Sequence, residues 1–347
     1  MDENSTPVRA RAPLRLGLAG GGSDLSPFCD EYGGFILNAS IALFVYAIIQ
    51  WRSDGKVCFV GADRQESLIY DATLDFPMDG SLSLHKAAYK RIMCDFNRGQ
   101  PLPVTLTTYS DVPAGSGLGS SSTLVVAMIE AFKEALSLPL GEYEVAQLAH
   151  RVERVDAGMP GGKQDQYAAT FGGFNFMEFY GDNRVIVNPL RISPSIVNEL
   201  EASLVLFNTG VSRDSEAIIA EQISGIANHD RHSIEGMQSL KREAIEMKEA
   251  MLKGDIRGLG EVMSRGWESK KKTAGLVTNP DLERIYSAAM SAGAYSGKVS
   301  GAGGGGFMMF MVDPARRPDV WRALQQERGS LMRVQFTEHG ATAWRCR

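Results

Sequence analysis

The stretch Asp111-Val-Pro-Ala-Gly-Ser-Gly-Leu-Gly-Ser-Ser-Ser-Thr123 decides the reading of this chain. A strand-like run, Val104-Thr-Leu-Thr-Thr-Tyr109, precedes it, and an apolar helix-like run over 123–136 follows. Glycines here let the backbone approach a ligand closely, while the serines supply hydroxyls and a helix cap. The free N–H groups and positive dipole end of the following helix favour a phosphate. No Gly-Lys-Ser/Thr ending is present, so this is not a Walker A loop. Gly115-Ser-Gly117-Leu-Gly119 is a near miss to the dinucleotide fingerprint. That fingerprint also needs an acidic residue about 20 positions on, at a strand end, and Glu142 and Glu144 fall at a helix start instead.

Two further glycine loops flank this one. In the first, a strand carrying Arg15 runs into Gly20-Gly-Gly-Ser-Asp24. Such a turn either sets Ser23 and Asp24 against ligand hydroxyls or is an ordinary helix start capped at Ser23. The other is Lys298-Val-Ser-Gly-Ala-Gly-Gly-Gly-Gly-Phe307, between two short apolar strands. A hairpin rarely needs that many glycines, which points to close backbone approach. The clusters account for much of an overall excess: 37 glycines in 347 residues, against a usual ~7%.

Length predicts about two domains at roughly 150 residues each, and the pattern changes near Pro189 to Pro194, so the units are read as 1–200 and 201–347. With 44% hydrophobic and 22% charged residues, a disordered chain, a collagen and a disulfide scaffold are excluded. A net charge of −5 without a basic arm argues against a nucleic-acid partner. Cys29, Cys58, Cys94 and Cys346 are scattered without metal spacing, as expected of reduced thiols in the cytoplasm. The acidic start lacks an apolar core, so no signal peptide is expected. The longest apolar run, Ile41 to Ile49, is far short of the about 20 residues a membrane span needs, so a soluble protein with no membrane partner is expected.

Strands are expected over 8–18, 35–51, 57–60, 104–109, 174–179, 184–187, 203–208, 294–299, 306–312 and 331–337. Helices are expected over 84–97, 123–136, 145–152, 213–228, 233–253, 256–271, 281–292 and 316–327. Mixed order without strict βαβ alternation makes both halves α+β. Lys270-Lys-Lys272 reads as a solvated helix end.

Together the three loops resemble a known pattern, that of the kinase superfamily named for galactokinase, homoserine kinase, mevalonate kinase and phosphomevalonate kinase (GHMP kinases). Its three ordered motifs stand here as Arg11-Ala-Pro13, Pro113-Ala-Gly-Ser-Gly-Leu-Gly-Ser-Ser-Ser122 and Ser300-Gly-Ala-Gly-Gly-Gly-Gly306, so the resemblance covers nearly the whole chain. It implies an N-terminal domain like domain 2 of ribosomal protein S5 and a ferredoxin-like C-terminal domain. Galactokinases carry a Glu-His pair where this chain has Gly21-Gly22, which counts against galactose. The Ala-Gly-Gly-Gly-Ser-Asp run, with Tyr32-Gly-Gly34, is more similar to the heptose 7-phosphate branch. That branch implies ATP-dependent phosphorylation of the anomeric hydroxyl of D-glycero-D-manno-heptose 7-phosphate, toward a nucleotide-activated heptose for capsule or surface polysaccharide.

The resemblance also implies roles. Pro113, Gly115, Ser116, Gly117, Leu118, Gly119, Ser120, Ser121 and Ser122 form the ATP-phosphate loop. Ser121, with Ser122 close behind, and Glu153 would hold Mg²⁺, a hard cation that takes oxygen ligands. Asp165 is the expected base, one position out of register with the mevalonate kinase pattern. Arg15 gives electrostatic support, since a guanidinium stays protonated. Gly22, Ser23, Asp24, Gly303 and Gly304 are expected at the sugar, and Arg11, Lys163 and Arg213 are candidates for its phosphate. The partners are ATP and a sugar phosphate, and a homodimer is left open.

Three rival readings are weighed: a dinucleotide-dependent reductase, a non-catalytic sugar-binding descendant of a kinase, and a family kinase acting on mannose, a fucose-like sugar or another hexose. The first lacks its strand and acid, and the second is expected to have lost Asp165 or Glu153. The third is the least separable by sequence.

Overall fold

In the computed structural model, which describes residues 6–78, 80–211 and 215–345, the burial along one strand already outlines the architecture. β1 (Val8–Ala19) alternates between buried and half-buried residues up to Arg11 and is buried throughout from Ala12 on. Its first turns are therefore covered on one face only, and its last eight residues on both. β1 pairs antiparallel with β2 (Gly34–Trp51), an 18-residue strand. β2 then serves two neighbours, β5 (Val104–Ser110) along 45–51 and β6 (Phe174–Phe179) along 34–39. β3 (Lys56–Gly61) lies parallel to β5, β4 (Glu66–Asp71) closes that edge, and β7 (Val185–Pro189) extends β6. Behind the sheet lie α2 (Ser83–Phe96), α3 (Ser120–Leu136) and α5 (Gln164–Phe171). Val125, Ile129, Phe132, Tyr89 and Ile92 belong to the largest apolar cluster there.

α4 (Glu142–Arg151) continues into a π-helical turn, Val152–Asp156. The wider turn carries Glu153 into complete burial. Insertions of this kind recur at functional sites.

The second unit has strands β8 (Leu204–Asn208), β9 (Ala294–Val299), β10 (Phe307–Val312) and β11 (Ser330–Met332), in spatial order β11-β8-β10-β9, all antiparallel. Counted along the chain that is 4-1-3-2. α8 (Arg231–Lys253), α9 (Ile256–Lys271) and α10 (Pro280–Ala292) lie between its first two strands, and α11 (Arg317–Leu324) between the last two. This is the ferredoxin-like arrangement, and the whole is the two-domain α+β fold implied by the motifs. The helix starts are chemically marked. Asp230 and Asp255 accept from Ser233 and Gly258 N–H, and Asn279 caps α10 ahead of Pro280.

Leu14, Leu16 and Leu18 of β1 share one apolar cluster with Met247 of α8, Met263 of α9 and Met309 of β10. That cluster explains the two-faced burial of β1 and joins the units. The expected strand over 331–337 shortens to Ser330–Met332, with an isolated bridge from Phe336 to Ile41. The chain then crosses back, and β12 (Thr342–Arg345) pairs with the edge of β1. No helix among the described residues is long and apolar enough to cross a membrane.

Candidate active site

The three glycine loops converge on one cavity of about 810 Å³ between the units. α3 begins after Gly119 without any side-chain cap, so its first-turn N–H groups face the cavity with no partner from the helix itself. Gly115, Gly117, Ser120 and Ser121 line that wall. The loop is held from behind by the second unit: Phe307 N–H donates to Ser116 O at 2.9 Å, and Ser300 Oγ to Gly117 O at 3.0 Å. Gly117 has φ +77°, and a Cβ there would lie 2.5 Å from Ser300 O, so only glycine permits this approach.

Arg15 is 3% exposed. Its Nε meets Asp165 Oδ1 at 2.7 Å, and a terminal nitrogen meets Gly117 O at 2.8 Å. One guanidinium thus fixes both the carboxylate and the phosphate-type loop. Asp165 stands in the first turn of α5 and lines the cavity beside Gly119. It retains Oδ2 for a ligand, the ion pair engaging Oδ1.

Glu153 receives three side-chain donors: Ser121 Oγ at 2.7 Å, Ser122 Oγ at 2.6 Å and Gln166 Nε2 at 2.7 Å. Arg154 stands 3.4 Å away. A buried carboxylate with two hydroxyls at the open end of α3 is an all-oxygen set suited to a hard divalent cation. Both serines paired with Glu153 in the sequence reading are brought to it, together with Gln166, which that reading missed.

Asp24 is also buried. Its Oδ2 accepts the N–H groups of Lys163 (2.8 Å) and Gln164 (3.0 Å), and its Oδ1 that of Gly22 at 3.3 Å. A Cβ on Gly162 would fall 1.9 Å from Oδ2, so glycine there admits the carboxylate beneath the start of α5. Burial pushes the Asp24 carboxyl up from its usual range, backbone hydrogen bonds oppose this, and the nearby Asp165 charge adds to the rise. Asp24 and Gly22 both line the cavity.

Other expected residues lie elsewhere. Ser23 Oγ donates to Phe35 O at 3.0 Å and accepts from Phe35 N–H at 3.1 Å, so its hydroxyl ties the loop to β2. Arg11 lies over the Phe44 ring at 4.5 Å, and Lys163 Nζ turns to Asp30 Oδ1 at 3.4 Å; neither lines the cavity. Gly303 and Gly304 pack on the Val277 backbone, leaving Gly301 and Ala302 at the cavity. Leu118 is a core residue, and neither Ser116 nor the exposed Pro113 lines the cavity. Arg213 lies outside the described residues.

One expectation is overturned, and its physical cause is helical phase. Lys270 is buried rather than solvated, whereas Lys272 is exposed. Leu259, Val262, Met263 and Trp267 mark the buried face of α9, and Lys270 continues that face one turn on. The spacing carried the signal; the Lys-Lys-Lys composition masked it. Lys270 Nζ donates to Gly21 O at 3.2 Å, and Lys298 Nζ donates to Gly17 O (2.9 Å) and Leu18 O (3.2 Å). Burial depresses both ammonium groups, Lys270 to about 8 and Lys298 to about 7. Gln164, whose Nε2 is 3.5 Å from Asp24 Oδ1, completes this side of the cavity.

Comparison with known proteins agrees with this geometry. The family model for the GHMP kinases N terminal domain matches residues 83–173, and the one for the GHMP kinases C terminal region matches residues 247–330. The chain is 49% identical over 338 residues to the D-glycero-alpha-D-manno-heptose 7-phosphate kinase of Campylobacter jejuni, covering 97% of this chain and 99% of that protein. A crystal structure of a D-glycero-D-manno-heptose 1-phosphate kinase from Bacteroides thetaiotaomicron superposes with a TM-score of 0.84 at 46% identity, covering 98% of this chain and 99% of that one. The Lactococcus lactis galactokinase complexed with galactose shares the fold at TM-score 0.76 and 19% identity, covering 97% and 95% of the two chains.

Proposed function

The chain belongs to the GHMP kinases, and on that premise we propose that it transfers the γ-phosphoryl group of ATP to the anomeric hydroxyl of D-glycero-D-manno-heptose 7-phosphate. The observation that carries the acceptor is the 49% identity, end to end, with the Campylobacter jejuni heptose 7-phosphate kinase. What supports the reaction is the joining of the Arg15–Asp165 pair with an uncapped helix start in one cavity.

The chemistry follows from those groups. The N–H groups at the start of α3 bind the triphosphate, as helix N-termini bind anions. Asp165 orients the acceptor hydroxyl and takes its proton on Oδ2. The acceptor oxygen bonds to the γ-phosphorus as the bond to the β–γ bridging oxygen breaks, and ADP leaves with that electron pair. Arg15 holds Asp165 aimed, and its charge offsets the charge that develops on the transferring group. Glu153, Ser121 and Ser122 would hold Mg²⁺, which supplies charge neutralisation to the phosphates. Asp24 would accept from sugar hydroxyls. Its carboxylate is fixed by three backbone donors, so little ordering entropy is lost on binding. The cytoplasm, where ATP and sugar phosphates are found, is the compartment we assign.

The test is ADP release with Mg²⁺ across heptose 7-phosphate, the unphosphorylated heptose, mannose, fucose and galactose, with ³¹P NMR of the product. Heptose 7-phosphate should give the highest kcat/KM and an anomeric phosphate. Equal kcat/KM for the phosphorylated and unphosphorylated heptose, or a phosphate elsewhere on the ring, would remove this reading.

A further inference from the structure

An acceptor that already carries a phosphate brings a dianion into the cavity, and some cation must receive it. The described lining includes four Lys or Arg side chains: Arg15, Arg64, Arg154 and Lys270. Three of them have a carboxylate close by. Arg15 is 2.7 Å from Asp165, Arg154 is 3.4 Å from Glu153, and Arg64 is 3.9 Å from Glu66. Arg154 is further occupied by the carbonyls of Met159, Pro160 and Gly162. Among the described residues, Lys270 has no carboxylate oxygen within 4.0 Å of its ammonium.

That ammonium is 4% exposed as a residue and, among the described residues, makes one hydrogen bond, to Gly21 O. An ammonium has three donors, so two are left to face the cavity. A buried charge without a counter-ion is costly and normally acquires a partner. Asp24 and Asp165 act on it only at longer range, and burial lowers its proton affinity as expected where no counter-ion touches it.

Position selects the ligand. The triphosphate wall is the start of α3 with Gly115 to Ser121, whereas Lys270 reaches in from α9 over Gly21, on the side of Asp24 and Gln164. Of the three cations singled out by sequence, Arg11 and Lys163 are engaged outside the cavity, and Arg213 lies outside the described residues. We infer that Lys270 is the cation that binds the phosphate borne by the sugar acceptor, so that the second unit selects phosphorylated over unphosphorylated acceptors. The inference rests on the sugar-phosphate kinase reading above.

The experiment is calorimetric binding without turnover, using heptose 7-phosphate, the unphosphorylated heptose and ATP, on wild type and on Lys270→Met and Lys270→Arg. Wild-type preference for the phosphorylated sugar tests the function itself, and its absence would remove both readings. With that preference in place, Lys270→Met should weaken heptose 7-phosphate about 10- to 100-fold, as expected for loss of a charged hydrogen-bonding partner. The loss with the unphosphorylated sugar should be at least tenfold smaller, and Lys270→Arg should restore part of the preference. Equal losses for both sugars would overturn the inference and make Lys270 a support for the Gly21 loop. A loss confined to ATP would overturn it in favour of the nucleotide. Should Lys270→Met unfold, Lys270→Gln carries the same comparison.

Discussion

In the proposed reaction Asp165 has two jobs that substitution can separate. In Asp165→Ala, Arg15 loses its carboxylate while 3% exposed, keeping Gly117 O at 2.8 Å. Breaking a fully buried pair costs about 3–5 kcal/mol. The Asp165 side chain is 21% exposed, and Arg15 keeps Gly117 O and, at 3.5 Å, Ser300 Oγ as acceptors, so a smaller cost of about 2–3 kcal/mol is expected. Asp165→Asn preserves an oxygen for Arg15 Nε and should cost about 1 kcal/mol. Neither variant retains a base, so both should lose about 10²- to 10⁴-fold in kcat, the usual contribution of a positioned base. The ATP KM should stay within about threefold, because the bond from Arg15 to Gly117 O and the uncapped start of α3 remain in both variants. Urea unfolding and coupled ADP release, run on both variants, give the two readouts. Asp165→Asn with kcat within tenfold of wild type would refute the base assignment. Asp165→Ala as stable as wild type would refute the buried ion pair as a structural element.

Three other outcomes follow from the same geometry. Glu153→Gln weakens the oxygen set at α3, so half-saturation by Mg²⁺ should need at least about tenfold more metal, while the acceptor dissociation constant holds; an unaltered Mg²⁺ titration would place the metal elsewhere. Ser23→Ala removes two hydrogen bonds to the Phe35 main chain, so it should lower unfolding free energy by about 1–2 kcal/mol with acceptor KM little changed; a large KM effect at full stability would return Ser23 to the sugar. Burial depresses Lys298 and Lys270 to about 7 and about 8, from the ordinary 10.5. Between those values and about 10 the unfolded chain binds more protons, so the ligand-free protein should gain stability as pH rises. Lys298→Met should flatten that slope in urea titrations at several pH values, and an unchanged slope would assign the dependence to other groups.

How legible all this was depends on what kind of information each residue carries. The glycine loops could be read because their chemistry is backbone chemistry, fixed by residue type and by neighbouring elements. Asp165, Arg15, Glu153 and Ser121 came with the motifs, and the structure brings each pair into contact. Side-chain direction was not legible. Ser23 and Asp24 are adjacent, yet one hydroxyl turns to Phe35 while the next carboxylate sits under α5, a difference set by partners 12 and about 140 positions away. Lys270 meets Gly21 across 249 positions. Only the phase of α9 hinted that one of three lysines points inward. The return of the chain to β1 was likewise invisible, because a four-residue strand, β12, owes its existence to the edge it pairs with.

The second unit does more than cover the cavity. Lys270 donates to Gly21 O, Lys298 to Gly17 O and Leu18 O, and Ser300 to Gly117 O. Every one of these bonds ends on a main-chain carbonyl of the first unit, within the segment that presents Arg15 and Asp24 or in the phosphate-type loop. Beneath them, Leu14, Leu16 and Leu18 share a core with Met263 and Met309. Parting the units would therefore expose apolar surface and strip two buried ammonium groups of their acceptors, which makes a wide hinge between the units costly. Substrate access then falls to the mouth of the cavity, and the reacting groups stay in place between turnovers. Such preorganisation reduces the entropy that must be lost when acceptor and nucleotide are brought together. It also explains how a chain of net charge −5 can handle several phosphates. The positive potential they need is local, drawn from the start of α3, from Arg15 and from a lysine whose charge has no carboxylate partner among the described residues.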